Sequence, residues 1–279
     1  MDSMTRAAID NDVFDHLSDG WWSDHTFAGL LKHVTNPWRV PYFKRTLTQG
    51  LAIDPEGKKA LDVGCGGGIL AEEFATMGFH VMGVDPSCTS LEAAREHAAQ
   101  GDLKIDYRTG YGDKLPFENE TFEVVFCCDV LEHIHGWDNV IGEVARVLKG
   151  GGAFFYDTIN RTPFSKITLI KLAQEWKFTR FLPPNLHAWE MFIRPEELMA
   201  SFERHGLQHK EIKGTKPANA LRIIMAMRQY KKGKISPAEF GQRTHAQEGP
   251  NTGGFYMGYA IKASCSKPSL ADSNDHRDA

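Results

Sequence analysis

The chain has 279 residues, 42% hydrophobic and 24% charged, enough for one large domain or a domain with a substantial insertion. Its formal net charge of -4 supplies no global basic field, which argues against nucleic acid as a main ligand. No stretch approaches the roughly 20 apolar residues that a membrane span requires.

Residues 1–50 are rich in aromatics, with Phe14, Trp21, Trp22, Phe27, Trp38, Tyr42 and Phe43, and predict a helical cap segment. The stretch before Trp22 is acidic and has no apolar run, unlike a secretory signal. From residue 51 short apolar runs alternate with helical patterns. Strands are predicted at 59–64, 79–85, 104–109, 122–128 and 153–158. Helices are predicted at 70–77, 89–99 and 138–148, the last ended by Gly150, Gly151 and Gly152. Residues 162–194 break the rhythm and predict a lid insertion containing Phe164, Trp176, Phe178, Phe181, Trp189 and Phe192. A helix at 195–205 and two strands at 207–213 and 255–263, expected to pair with each other, complete the core. Between those strands lies an insertion in which apolar residues precede Arg228, Lys231, Lys232 and Lys234. The polar tail 266–279 is expected to be disordered.

This order predicts an α/β fold: a Rossmann-like, seven-stranded, mostly parallel sheet with helices on both faces. Its parts are a cap at 1–50, a cofactor-binding core at 51–161, the lid at 162–194 and the remaining core at 195–265. The cysteines, Cys65, Cys88, Cys127, Cys128 and Cys265, form no Cys-x-x-Cys pair. An odd, scattered set predicts reduced thiols in a cytoplasmic protein.

The strand ending Asp62-Val63 runs into Gly64-Cys65-Gly66-Gly67-Gly68 before a helix. A dinucleotide loop would need its third glycine at position 69, which is Ile69. That residue opposes an NAD-type reductase. The form Gly-x-Gly-x-Gly behind an acid is that of methyltransferases and predicts S-adenosylmethionine (SAM), whose ammonium Asp62 can balance. Asp85, followed by Pro86, closes the next strand and can accept the two ribose hydroxyls. Gly112-Asp113 then places Asp113 toward the adenine amine, with Leu115 expected on the ring.

Leu61–Gly68, Gly83-Val84-Asp85, Asp129-Val130-Leu131-Glu132-His133, Leu148-Lys149-Gly150-Gly151-Gly152 and Thr158-Ile159-Asn160-Arg161 occur in that order. The set resembles the ubiquinone-biosynthesis O-methyltransferases. The resemblance extends to Trp21-Trp22, Leu31-Lys32-His33 and Asn36-Pro37-x-Arg39, and to His187-x-Trp189-x-x-Phe192-Ile193-x-Pro195 in the insertion, covering about residues 20–215. It implies that Arg39 contacts the SAM carboxylate. Gly64, Gly66 and Asp85 would hold the cofactor, and Val130 would line the adenosyl site. Some members hold a divalent metal with this motif; the ligands here would be Asp129, Glu132 and His133, although the family carries Glu where this chain has Asp129. We expect no metal, and place Asp129 in the cofactor site.

Methyl transfer from a sulfonium requires alignment of the acceptor and removal of its proton. His133, past the end of the fourth strand, suits a general base, with Glu132 beside it. Either could instead merely order the loop. Trp21, Trp22, Trp38, His187, Trp189 and Phe192 are expected to enclose a small, flat aromatic acceptor. Two acceptors compete: a ring carbon such as indole C3 in natural-product biosynthesis, which is preferred here, or the hydroxyl of a catechol or polyprenyl quinone precursor. A SAM-binding partner protein without catalysis is a third reading. The basic run at 228–234 fits weak contact with an anionic membrane surface or a solvated helix end, and a homodimer stays open.

Overall fold

Apolar runs and helical patterns combine into one eight-stranded sheet in the computed structural model, which describes residues 9–24, 26–216, 220–244 and 247–264. The strands are β1 (Lys59–Val63), β2 (His80–Asp85), β3 (Asp106–Thr109), β4 (Phe122–Cys127), β5 (Leu148–Ile159), β6 (Leu207–Lys216), β7 (Gln247–Gly249) and β8 (Phe255–Lys262). They lie in the order β3-β2-β1-β4-β5-β8-β6-β7. The first five are parallel, and β8 inserts antiparallel to both β5 and β6, pairing the two late strands as expected.

The sheet has one strand more than expected, because β7 adds to the edge at β6. Its residues, Gln247, Glu248 and Gly249, show no alternation that would mark a strand. A second difference concerns Gly150, Gly151 and Gly152. Helix α6 (Trp137–Val147) ends without them, and they lie inside β5, whose register with β4 shifts there. Gly151 takes φ +80°, which a bulge tolerates in glycine.

Alternation along the central strands puts side chains on both faces. Ala60, Val124, Phe126, Ala153 and Phe155 face one side. They meet Leu70 and Phe74 of α4 (Ile69–Ala75), Leu91 and Ala94 of α5 (Cys88–Gln100), and Tyr42 and Phe43 of α3 (Asn36–Arg45). Leu61, Val125, Phe154 and Tyr156 face the other side, against Val140 and Val144 of α6 and Phe202 of α8 (Pro195–Arg204). Phe74 stacks on Phe126 with centroids 3.6 Å apart at the centre of the first layer.

Short α1 (Asp12–Asp15) and α2 (Ala28–Leu30) precede α3 in the cap. In the insertion, α7 (Pro163–Ser165) leads into a wide helix bonded i→i+5 over Lys166–Glu175. Between β6 and β7 the basic insertion forms α9 (Ala220–Lys231) and α10 (Pro237–Thr244). Ala226, Ile235 and Phe240 there pack with Leu30 and Val34 of the cap. No helix among the described residues is long and apolar enough to cross a membrane. The tail 266–279 and Cys265 lie outside the described residues; Cys65, Cys88, Cys127 and Cys128 are free thiols.

Candidate active site

The strand ends β1, β2 and β4 open into a cavity of about 870 Å³ at the carboxyl edge of the parallel strands. Ligands gather at such edges because crossovers on opposite faces leave a crevice there. The glycine loop forms its floor. Gly64, Gly66 and Gly68 have φ of +73°, +49° and +82°, a region that penalises any other residue. A Cβ on Gly64 would stand 2.4 Å from Val130, and one on Gly66 or Gly67 would meet the Trp21 ring at 2.4 Å.

Asp85 braces this loop. Its carboxylate accepts the Gly66 N–H and the Ser87 N–H, each at 2.9 Å. Each oxygen has a second lone pair, so the group can still accept hydroxyls from the cavity, which it lines with Pro86.

Asp62 is buried at the end of β1 and lines the cavity, and its Oδ2 has no partner. Burial raises its carboxyl to about 7, against the lowering influence of Arg39. Arg39, 3% exposed, is pinned by Asn36 Oδ1 at 2.8 Å, Asp157 Oδ2 at 2.8 Å and a short bond to Asp129. Burial works against its charge, but Asp129 and Asp157 hold it ionised. Asp129 takes φ +55° and donates its N–H to Asp157 Oδ1 at 2.8 Å. Burial and Asp129 push the Asp157 carboxyl up to about 6. One guanidinium thus faces three carboxyl groups, and the unmatched Asp62 oxygen points to a cationic ligand.

His133 follows on the turn Leu131–His133 and lines the same cavity. Its Nδ1 is buried without a partner, and burial drops the imidazole to about 4. The ring is therefore neutral at physiological pH. Phe14 of the cap meets it edge-on at 5.4 Å, and His187 of the insertion lies 5.0 Å away.

The structure divides the expected residues. Arg39, Asp62, Gly64, Gly66, Asp85, Pro86, Gly112, Asp113, Asp129, Val130, His133, Trp21, Trp38 and His187 all line the cavity. Glu132 does not; it is 1% exposed and accepts the Thr158 hydroxyl at 2.7 Å. Burial lifts its carboxyl to about 8, so it is a neutral group locked behind the wall rather than a catalytic one. Leu115 is buried in the second core layer, its N–H donating to Glu143, and reaches no ligand space. Trp22 lies outside the cavity, where its indole N–H donates to Gly67 O at 2.9 Å and its ring stacks on His97 at 3.3 Å. Trp189 and Phe192 support the insertion from a cluster with Ile159 and Ile170. Of the expected enclosing residues, Trp21, Trp38 and His187 line the cavity, joined by aromatics that include Phe14, Phe27, Phe181, Phe240 and Phe255.

Glu132 turns into the core toward Thr158, while Asp129 is held by Arg39 and lines the cavity with His133. The three do not converge, so they do not fit a shared metal. Among the described residues no group of three His, Cys, Asp or Glu side chains is placed to hold one.

Asp157 and Gln174 were not anticipated. An acid inside the apolar run 153–158 is the one signal that could have revealed Asp157. Gln174 carries no signal at all in the sequence, because its partner is the backbone of His187.

A methyltransferase domain family matches residues 61–156. Ubiquinone biosynthesis O-methyltransferase of Brucella ovis is 37% identical over 218 residues, spanning 75% of this chain and 86% of the relative. The protein of the same name from Bartonella quintana is 35% identical over 213 residues, spanning 73% and 85%. Among solved structures, a putative sarcosine dimethylglycine methyltransferase from Galdieria sulphuraria matches with a TM-score of 0.56 at 14% identity, covering 81% of this chain and 86% of that one. At that identity the likeness shows the fold alone.

Proposed function

From the premise that the chain belongs to the class I SAM-dependent methyltransferases, in the family of the ubiquinone-biosynthesis O-methyltransferases, we propose that it methylates an aromatic hydroxyl with His133 as general base. The observation that carries this reading is the neutral His133 imidazole, presented to an apolar cavity beside the glycine loop. Bound SAM supplies an electrophilic methyl on a sulfonium. Asp62 would face its ammonium, Asp85 would accept its ribose hydroxyls, and Gly112 with Asp113 would border the base. Arg39 holds Asp129 and Asp157 in place and favours the ionised form of Asp157. Trp21, Trp38 and Phe14 exclude water and lay the acceptor ring flat.

His133 takes the hydroxyl proton as the oxygen attacks, so that no free phenolate has to form in a dry cavity. The growing positive charge on the imidazole is favoured by Asp129. The ring-carbon acceptor preferred from sequence gives way to the hydroxyl, since the relatives that align over three-quarters of the chain carry the O-methyltransferase name.

The test measures S-adenosylhomocysteine formed with substituted catechols and with substituted indoles. Turnover is expected with catechols, and His133→Ala should reduce it about 10²-fold or more while S-adenosylhomocysteine still binds. Turnover with indoles alone would overturn the hydroxyl reading. Undiminished turnover in His133→Ala would overturn the base.

A further inference from the structure

Two imidazoles meet in the cavity, and neither ring is held by a hydrogen bond at its buried nitrogen. Nδ1 of His133 and Nδ1 of His187 both lack a partner, while the ring centroids lie 5.0 Å apart at 41°. An unmet buried polar atom is costly, because its lost hydration is not replaced. Torsion about the Cβ–Cγ bond of histidine is broad, so either ring can turn that nitrogen toward an occupant.

The backbones beneath the rings are better fixed. His133 sits on its turn through its N–H to Val130 O at 2.9 Å. His187 belongs to the insertion, where no strand holds it, and a buried glutamine does so instead. Gln174 Nε2 donates to His187 O at 2.9 Å, and Gln174 Oε1 accepts the His187 N–H at 2.8 Å. Gln174 is 4% exposed and lies on the wide helix Lys166–Glu175. Two antiparallel bonds to one residue fix its tilt as well as its position, as a strand partner would. Phe192 closes on the His187 ring from the side at 6.0 Å. Burial and the neighbouring His133 keep His187 neutral, so it offers one donor and one acceptor.

We propose that His187, positioned by Gln174, hydrogen-bonds the ring substituent beside the oxygen that reacts at His133, and thereby decides which oxygen is methylated. This rests on the hydroxyl reading given above. His187 is a specificity residue that takes no proton in the transfer. Gln174 is a positioning residue that acts only through His187. The division is physical: the sheet edge supplies the base, and the insertion supplies the orientation. An acceptor anchored at one oxygen alone could rotate about it, whereas a second anchor at His187 fixes which oxygen faces His133.

The test uses the full chain, SAM and 4-propylcatechol, an uncharged probe with two distinguishable oxygens, and separates the two monomethyl ethers. The wild type is expected to form one ether in excess. His187→Ala and Gln174→Leu are expected to cut that ratio about tenfold, the effect of losing one hydrogen bond, and to raise KM more than they lower kcat. S-adenosylhomocysteine affinity should stay near the wild-type value, which shows that the fold and cofactor site survive. His187→Gln keeps a neutral donor and acceptor and should restore part of the selectivity. Should Gln174→Leu lose cofactor binding, Gln174→Glu, which keeps only the accepting half of the grip, takes its place and should show an intermediate ratio. An unchanged ratio in His187→Ala, or equal ethers from the wild type, overturns the proposal and leaves the hydroxyl reading standing. Absence of turnover with every catechol overturns both.

Discussion

At Asp62 burial has a consequence for the whole cofactor site. The carboxyl is raised to about 7 in the free protein and would fall when an ammonium sits beside its open oxygen. Binding below that pH must expel a proton. SAM affinity should therefore weaken by up to about tenfold per unit as pH falls below 7, and level off above it. Asp62→Asn should flatten this profile, as calorimetry at pH 5.5, 6.5 and 7.5 would show. A wild-type affinity independent of pH over this range would contradict the role given to Asp62. Glu132 has the same kind of shift but a different meaning. Its carboxyl stands at about 8 against an ordinary 4.5, so the folded protein keeps a proton that the unfolded chain releases. Stability is thus lost as pH rises from 4.5 to about 8. Glu132→Gln keeps an acceptor for the Thr158 hydroxyl and avoids that loss. Its melting temperature should exceed the wild type's by more at pH 8 than at pH 5, with turnover retained. A collapse of turnover would return Glu132 to the catalytic role first read from its place beside His133.

At the scale of elements, the cavity depends on how closely α10 approaches the cap. A Cβ on Gly241 of α10 would stand 2.0 Å from the carbonyl oxygen of His33. Backbone cannot yield there as a side-chain end would, so Gly241→Ala must push α10 outward and carry Phe240 with it. KM for the acceptor should rise several-fold, whereas cofactor affinity should hold, because α10 packs chiefly on α9 and the cap. An unaltered KM would mean that α10 is not part of the acceptor wall. The sheet layer beneath is less tolerant still. Phe74→Ala would empty the stack on Phe126 and cost about 3–5 kcal/mol, a large share of a typical domain's stability. Chemical denaturation would report it.

For the molecule as a whole, the cavity is roofed by three segments far apart in sequence: the cap, the insertion, and α9 with α10. The cap contributes most of the roof and is anchored to β5 through Arg39 and Asp157, while the insertion and α9 with α10 supply fewer residues. Their mutual order should depend on what fills the space between them. S-adenosylhomocysteine is expected to slow amide exchange in 9–24 and in the wide helix 166–175 more than in β1 or β4. Uniform protection would indicate that roof and sheet open together as one unit.

The core was legible because its signals are local. Period-two alternation, glycines that alone tolerate φ near +73° and +82°, and acids at two strand ends specify β1, the loop and β2 within 27 residues. The floor of the pocket follows from them with little help from distant residues. What tertiary structure decided is whatever depends on long-range partners. Arg39 meets Asp129 and Asp157 across 90 and 118 residues, and Trp21 settles over Gly66 and Gly67 from the far cap. Glu132 and His133 are neighbours in the chain, yet a turn sends one into the core beside Thr158 and the other into the cavity. Gln174 and His187 recognise each other through backbone atoms that every sequence possesses. The sequence by itself determined that this chain binds SAM and transfers a methyl, because that chemistry is written in contiguous motifs. The environment of the acceptor was left to tertiary structure, because its walls are assembled from segments whose proximity only the closed fold creates.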